Sequence, residues 1–308
     1  MATIKDVAEK AGVSTTTVSH VINQTRFVSE ALTQRVYQAM EALDYHPNSL
    51  ARSLRSGQTK TIGLIVPDIS NLFFAEIARI IEDRGLENGH SVILCNADND
   101  VEKEARYIDV LIAKQVDGII FISSGSESQN LKKLVDFGIP VVVADRDLKG
   151  ISADVVLVDN RHGGYLATRH LIGLGHRHIA CITGPSQLTP SAQRIEGYRL
   201  ALKEFGLEDR AYPVAASDFS FQGGEKAMNA LLEAGGPPPT AVFACNDMMA
   251  LGAIRAIYNH GLIVPEDISV VGFDDIPISQ CVYPAITTVA QPMRAMGQMV
   301  VDLLIQQI

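Results

Sequence analysis

Nine short apolar runs between residues 61 and 290 constrain this chain more than any other feature: "TIGLIVPD", "SVILCNAD", "GIIFISS", "PVVVADRD", "DVVLVDN", "HIACITGP", "TAVFACND", "ISVVGFDD" and "TTVAQP". Helical stretches such as Phe74 to Leu86 and Gly164 to Leu174 lie between most of them. A strand that is apolar at successive positions is covered on both faces, and strands alternating with amphipathic helices run parallel. Parallel, doubly wound sheets are therefore expected. About nine strands exceed one ordinary sheet of five or six, so two similar lobes facing a cleft is the expected packing. Many of the runs end on a polar residue (Asp68, Asn96, Asp145, Asp159, Asn246, Asp274), where open α/β sheets present groups to a ligand.

The first sixty residues have a different texture. Nothing there alternates like a strand. Ile4, Val7, Ala8 and Ala11 recur at helical spacing, as do Val18, Val21 and Ile22, and then Leu32, Val36, Met40 and Leu43. Gly12 is placed to close the first helix, Ser14 to cap the second and Ser29 to open the third. Helix, glycine turn, helix and supporting helix make an all-α helix-turn-helix head. Between head and body, in "HPNSLARSLRSGQTK", Pro47 is placed to start a short helix and Gly57 to end it, leaving Asn48 to Ser56 as about two turns, too short to hold alone in water. A solvated linker is the competing reading of that stretch.

Charge separates the same two parts. The net charge of −9 argues against a nucleic-acid partner, but residues 1–60 carry +2 and the remainder −11, the division expected of a small anion-binding head on an acidic body. No apolar run approaches the roughly 20 residues that span a bilayer, and "MATIKDVAEK" has no apolar stretch typical of a secretory signal. A cytoplasmic protein without a membrane partner is expected. Cys95, Cys181, Cys245 and Cys281 stand singly in apolar surroundings, the habit of small buried thiols in a reducing compartment, with no metal site and no disulfide framework. His170, His176 and His178 read as a solvated loop rather than a metal cluster. No cofactor is expected.

Taken in order, "ATIKDVAEKAGVSTTTVSHVIN", "ARSLRS", "GLENGHSVILCNADND", "VDGIIFIS", "HIACITGP", "RIEGYRLAL", "AVFACNDMMALGA", "VPEDISVVGFDD" and "ITTVAQP" make the whole chain resemble the LacI/GalR family of bacterial repressors, most of all those responding to purines and ribose. The resemblance implies a two-lobed body like a periplasmic binding protein. The implied domains are a head over 1–46, a hinge helix and linker over 47–60, an amino lobe over 61–160 and 291–308, and a carboxy lobe over 161–290. It also implies double-stranded operator DNA as partner. Thr15, Thr16 and His20 would meet base edges in the major groove, and Thr17, Ser19 and Asn23 would meet the backbone. Leu54, with Ala51 and Arg55 beside it, would wedge into the minor groove from a helix that pairs with its copy in a homodimer. Lobe movement that parts those helices would release the operator. No tetramer-forming leucine repeat is present, so a dimer is expected. Family members usually continue past "MGQMVVDLLIQQI" into a final strand of the carboxyl lobe, and in this the sequence departs from the family pattern.

The body holds the ingredients of a sugar pocket: aromatic faces for the C–H sides of a ring, and planar charged groups for vicinal hydroxyls. Phe73, Phe74 and Phe219 supply the first, and Asn71, Asn96, Asp145, Arg146, Arg194, Asn246, Asp274 and Gln291 the second. These positions match ligand contacts in similar ribose-binding proteins. Purine repressors place a tryptophan after the aspartate matching Asp145, where this chain has Arg146, which suits hydroxyls better than a base. A pentose, ribose first, is the expected effector, with a purine base as the alternative.

Two other classes compete. Doubly wound sheets often hold enzymes, but "GLGHRH" lacks a third spaced glycine, no "GxxxxGK" loop occurs and "GPSQLTP" has no nucleophile elbow. No turnover is expected. A free sugar-carrying protein would share the body but not the head.

Overall fold

Thr3 begins the first helix by a reciprocal cap. Its Oγ1 accepts from the backbone N–H of Asp6, and its own N–H donates to Asp6 Oδ2 at 2.7 Å. The computed structural model describes residues 2–23, 25–46, 57–125, 129–146, 153–208 and 212–308, which fall into two units, Met1–Thr59 and Lys60–Ile308. The expected hinge helix, with Ala51, Leu54 and Arg55, lies outside the described residues.

In the first unit α1 spans Ile4–Ala11, α2 Thr15–Asn23 and α3 Glu30–Ala42. Gly12 closes α1 at φ 62, a left-handed position that glycine takes without strain, and its N–H returns to Ala8 and Glu9 carbonyls. Ser14 caps α2, its Oγ accepting the Thr17 N–H at 3.0 Å. Ser29 differs from expectation: it precedes α3 but makes no side-chain cap bond. Val7, Val18 and Val36 are fully buried, so the three helices share one small core.

The second unit holds ten strands among the described residues: β1 Thr61–Val66, β2 Ser91–Asn96, β3 Gly118–Phe121, β4 Val141–Ala144, β5 Asp154–Val156, β6 Ile179–Thr183, β7 Ala215–Ala216, β8 Ala241–Ala244, β9 Ser269–Asp274 and β10 Thr287–Ala290. The nine runs of the sequence missed β7, which at two residues is too short to form a run. The strands build two sheets, ordered β2-β1-β3-β4-β5 and β10-β9-β8-β6-β7, and every pair is parallel. Read from its other edge, the second sheet runs β7-β6-β8-β9-β10, the same winding order as the first. Each lobe therefore has a crevice where its winding reverses, at the carboxyl ends of its strands.

Helices α4 (Leu72–Glu87), α5 (Val101–Ala113) and α6 (Gln129–Asp136) follow strands of the first lobe. α7 (Asn160–Gly173), α8 (Thr189–Glu204), α9 (Phe221–Glu233) and α10 (Asp247–Asn259) belong with the second, the short α11 (Ile278–Cys281) puts Ile278 against the core of the first, and α12 (Met293–Gln307) returns to pack on α4. Two helix pairs of the second lobe close on glycine. A methyl on Gly164 of α7 would stand 2.2 Å from the Arg194 carbonyl oxygen of α8, and one on Gly197 2.0 Å from that of Arg161. Gly252 of α10 meets Phe221 of α9 in the same way, at 2.0 Å. Backbones come this close only where side chains are missing.

The chain passes between lobes after β5, around Ile276, and after β10; Ile276, following β9, is fully buried in the apolar core of the first lobe. Among the described residues no helix is long and apolar enough to cross a membrane. Two details correct the sequence reading. Cys281 is exposed, unlike Cys95, Cys181 and Cys245, because it ends a single-turn helix at the surface. His176 is half-buried rather than solvated: its ring bonds Thr240 Oγ1 at 3.1 Å and Ser269 Oγ at 3.0 Å, joining the residue just before β8 to the first residue of β9.

Candidate functional site

Helix starts and strand ends converge on one cleft between the lobes. On the first lobe, Asn71 caps α4 by accepting the Phe73 N–H at 3.1 Å, which sets Phe73 and Phe74 on the first turn as an edge-to-face pair with centroids 5.2 Å apart. Asp145 follows β4 at φ 64, and Arg146 next to it donates from Nη1 to the Ser123 carbonyl. The Arg146 guanidinium carbon lies 5.8 Å from the Phe74 ring centroid. Its Nε stands 3.7 Å from Asp145 Oδ2 and has no hydrogen-bond partner among the described residues.

The second lobe answers with Arg194 of α8. Its Nε donates to Asn160 Oδ1 at 2.8 Å, Nη1 donates to the Cys245 carbonyl, and the guanidinium stacks 3.7 Å over the Phe273 ring. Nη1 also faces Asp274 Oδ1 at 3.7 Å. Asn246 caps α10 through the Met249 N–H at 2.9 Å and donates from Nδ2 to the Phe219 carbonyl at 3.0 Å. Phe219 is held at φ 69 with its ring packed on Gly184, where a methyl would lie 2.3 Å from Cζ.

The inner cleft is lined by Asn71, Phe73, Phe74, Asp145, Arg146, Arg194, Phe219, Asn246 and Asp274, together with Pro190. Sequence reasoning missed Pro190, because a proline at a helix start signals only a helix start. Gln291 does not line the cleft but holds Asp274 from behind, Nε2 donating to Oδ1 at 2.7 Å. Asn96 lies outside the inner wall, and its amide accepts the Ile69 N–H at 3.0 Å and donates to Asp98 at 2.6 Å. It braces the loop that carries Asp68 to Asn71. Asp247, also missed, accepts from the Ile276 N–H at 3.0 Å and from Thr288 Oγ1 at 2.6 Å, tying α10 to β10 and to the crossover after β9.

Burial dominates the electrostatics. It pushes the Asp274 carboxyl up to about 8 against the pull of Arg194, and the Asp247 carboxyl up to about 6. It raises Asp145 and lowers the Arg146 guanidinium in the same way. Asp145, Phe219 and Asp274 (φ 119) all occupy left-handed backbone that non-glycine residues rarely adopt. Strain of about 1–3 kcal/mol at each such residue is typical of ligand clamps.

In the first unit, Thr15 and Thr16 begin α2 and are exposed, whereas Thr17 is half-buried and bonds Ser14 Oγ at 2.9 Å. Asn23 donates back to the Ser19 carbonyl at 2.7 Å, and His20 Nδ1 pairs with Thr25 Oγ1 at 2.8 Å. The helix thus offers two exposed hydroxyls on its first turn and a braced imidazole one turn on.

Residues 3–48 match bacterial regulatory proteins of the lacI family, and residues 59–308 match periplasmic binding proteins and the sugar-binding domain of that family. The chain is 42% identical over 310 residues to the HTH-type transcriptional repressor PurR of Aliivibrio fischeri, covering all of this chain and 92% of that one. It is also 42% identical, over 311 residues, to the ribose operon repressor of Escherichia coli, covering all of this chain and 93% of that one. A solved lac repressor dimer bound to operator and the anti-inducer ONPF is similar with a TM-score of 0.87 and 33% identity, covering 99% of this chain and 92% of that one.

Proposed function

The chain belongs to the lacI family of bacterial regulatory proteins, and from that premise we propose that it is a dimeric, operator-binding repressor whose cleft takes a pentose, ribose first, as effector. It is a DNA-binding regulator and not an enzyme. The observation that carries the effector choice is Arg146, which follows Asp145 into the cleft wall with its guanidinium toward the Phe74 ring. Arg146 and Arg194 offer planar N–H forks, and Asp145 and Asp274 offer acceptors, which together match vicinal hydroxyls. A purine base needs a flat aromatic partner where this chain puts a guanidinium.

The DNA reading is assigned to Thr15, Thr16 and His20 on α2, with Thr17, Ser19 and Asn23 orienting the helix. Effector binding acts by drawing the lobes together about their three crossovers. That motion reaches the start of the body at Lys60, whose N–H donates to Asp117 Oδ2 at 2.7 Å. Calorimetric titration with ribose and with hypoxanthine tests the effector, and heat from hypoxanthine alone overturns the pentose reading. Gel mobility shift of a palindromic operator, with and without ribose, tests the coupling: operator affinity must change when the cleft fills.

A further inference from the structure

Glu104, in the first turn of α5, is a carboxylate only 1% exposed that lines no part of the cleft. Both of its oxygens take neutral donors. Oε2 accepts the Ser124 N–H at 2.6 Å, and Oε1 accepts from Asn130 Nδ2 of α6 at 2.8 Å. A carboxylate buried without an opposite charge is costly, and here that charge stands one peptide group away. The Ser123 carbonyl, which accepts from Arg146 Nη1, shares its peptide plane with the Ser124 N–H, and in a trans peptide the two point to opposite sides. Arg146 and Glu104 therefore sit at the two ends of one peptide dipole, each at the end that attracts it. Resting on the reading that Arg146 meets effector hydroxyls, we propose that Glu104 is a positioning residue, which fixes the Arg146 guanidinium through the Ser123–Ser124 peptide and so sets effector affinity from outside the cleft.

Arg146 depends on that anchor. Its Nε faces Asp145 Oδ2 at 3.7 Å, beyond hydrogen-bond reach, and has no hydrogen-bond partner among the described residues. Nε is thus the N–H left to meet a hydroxyl, and Nη1 is the one that holds the group in place. Burial works against the guanidinium charge, and Asp145 and Glu104 act against burial. A charged acceptor on the Ser124 N–H also polarises the peptide toward the Ser123 oxygen, which strengthens the bond to Nη1. An amide in place of the carboxylate does this less.

The carboxylate is itself held by packing. Asn130 Nδ2 donates to the Val101 carbonyl at 3.0 Å as well as to Glu104, tying α6 to the start of α5. Ser123 Oγ accepts the Gly125 N–H at 3.2 Å and shapes the turn after β3. Two helices and a turn thus fix the direction in which Arg146 enters the cleft wall.

The test is a pair of double-mutant cycles on the full chain with Glu104→Gln, Arg146→Met and both together. Glu104→Gln keeps an oxygen for the Ser124 N–H and removes the charge, whereas Arg146→Met removes the guanidinium from an unbranched side chain. By calorimetry, Glu104→Gln should weaken ribose binding about tenfold, the size of a coupling within one hydrogen-bonded network, and should cost nothing further in the Arg146→Met background. In melts without ligand, Glu104→Gln should lower the transition of the unmodified chain by about 2–4 °C. In the Arg146→Met background, where the carboxylate has lost its opposite charge, it should raise the transition or leave it in place. Asn130→Ala, which removes a bond to Glu104 but not its charge, should lower the transition and keep ribose affinity within about threefold. A transition lowered equally in both backgrounds makes Glu104 a loop brace and overturns the proposal. So does ribose affinity unchanged in Glu104→Gln, or lost as strongly in Asn130→Ala. No heat from ribose on the unmodified chain removes the pentose reading instead; the titrations then use hypoxanthine, and the ligand-free melts decide the link between Glu104 and Arg146 in either case.

Discussion

Gln291 donates from Nε2 to Asp274 Oδ1 at 2.7 Å, so the residue that leaves β10 for the first lobe is tied to the carboxylate at the floor of the cleft. The Gln291 backbone N–H also donates to the Asp274 carbonyl at 3.2 Å. Anything that changes the charge or position of Asp274 is therefore felt at a crossover between the lobes.

Asp274 makes that junction pH-sensitive. Its carboxyl titrates at about 8 in the fold, against an ordinary value of 3.8. A raised carboxyl favours the protonated folded state, so its contribution to stability is complete below about pH 4 and is lost as pH rises through about 8. Asp247, at about 6, acts in the same direction over the lower part of that window. Thermal melts of the chain and of Asp274→Asn across this range should diverge, the unmodified protein losing stability relative to the variant by at most about 1.4 kcal/mol per pH unit. Parallel curves would contradict the assignment.

Arg194→Ala should abolish ribose binding by calorimetry while α2 still shifts operator DNA. The substitution leaves Asp274 buried without its guanidinium and removes bonds to Asn160 and Cys245. A loss of about 1–3 kcal/mol of body stability is expected from leaving those buried acceptors unpaired, readable as a lowered melting transition.

Gly164→Ala tests the close approach of α7 and α8. Its methyl would fall 2.2 Å from a backbone oxygen, which no side-chain rotation relieves. Overpacking of this kind costs about 1–3 kcal/mol or more. Because the oxygen belongs to Arg194, ribose affinity should drop along with the melting temperature. Gly173→Ala, where a methyl meets nothing within 4 Å, should do neither.

Thr16→Ala should weaken binding to the cognate operator by about 1–3 kcal/mol, the usual worth of a base-edge contact, and leave binding to unrelated DNA nearly unchanged. Ser14→Ala should act on the helix itself, costing about 1 kcal/mol of head stability through the lost cap. Mobility shift and thermal melts of both variants separate the two effects.

Much of this was readable along the chain because it is local. Uninterrupted Val and Ile runs ending in Asp or Asn determined parallel strands, their covered faces and the edge where ligand groups gather. Gly12 and Ser14 marked the turn before α2, since a left-handed closure and a side-chain cap are set within four residues. Nine of the eleven residues assigned to the cleft line its inner part, since strand ends and helix starts share one face of a doubly wound sheet. Tertiary structure alone decided the rest. Asn96 spends its amide on Ile69 and Asp98, Gln291 stands behind Asp274, and Arg194 lies between Asn160, Cys245 and Phe273. Such partners are brought together by packing across sheets and helices, and hydrophobic periodicity carries no record of which distant side chains will meet.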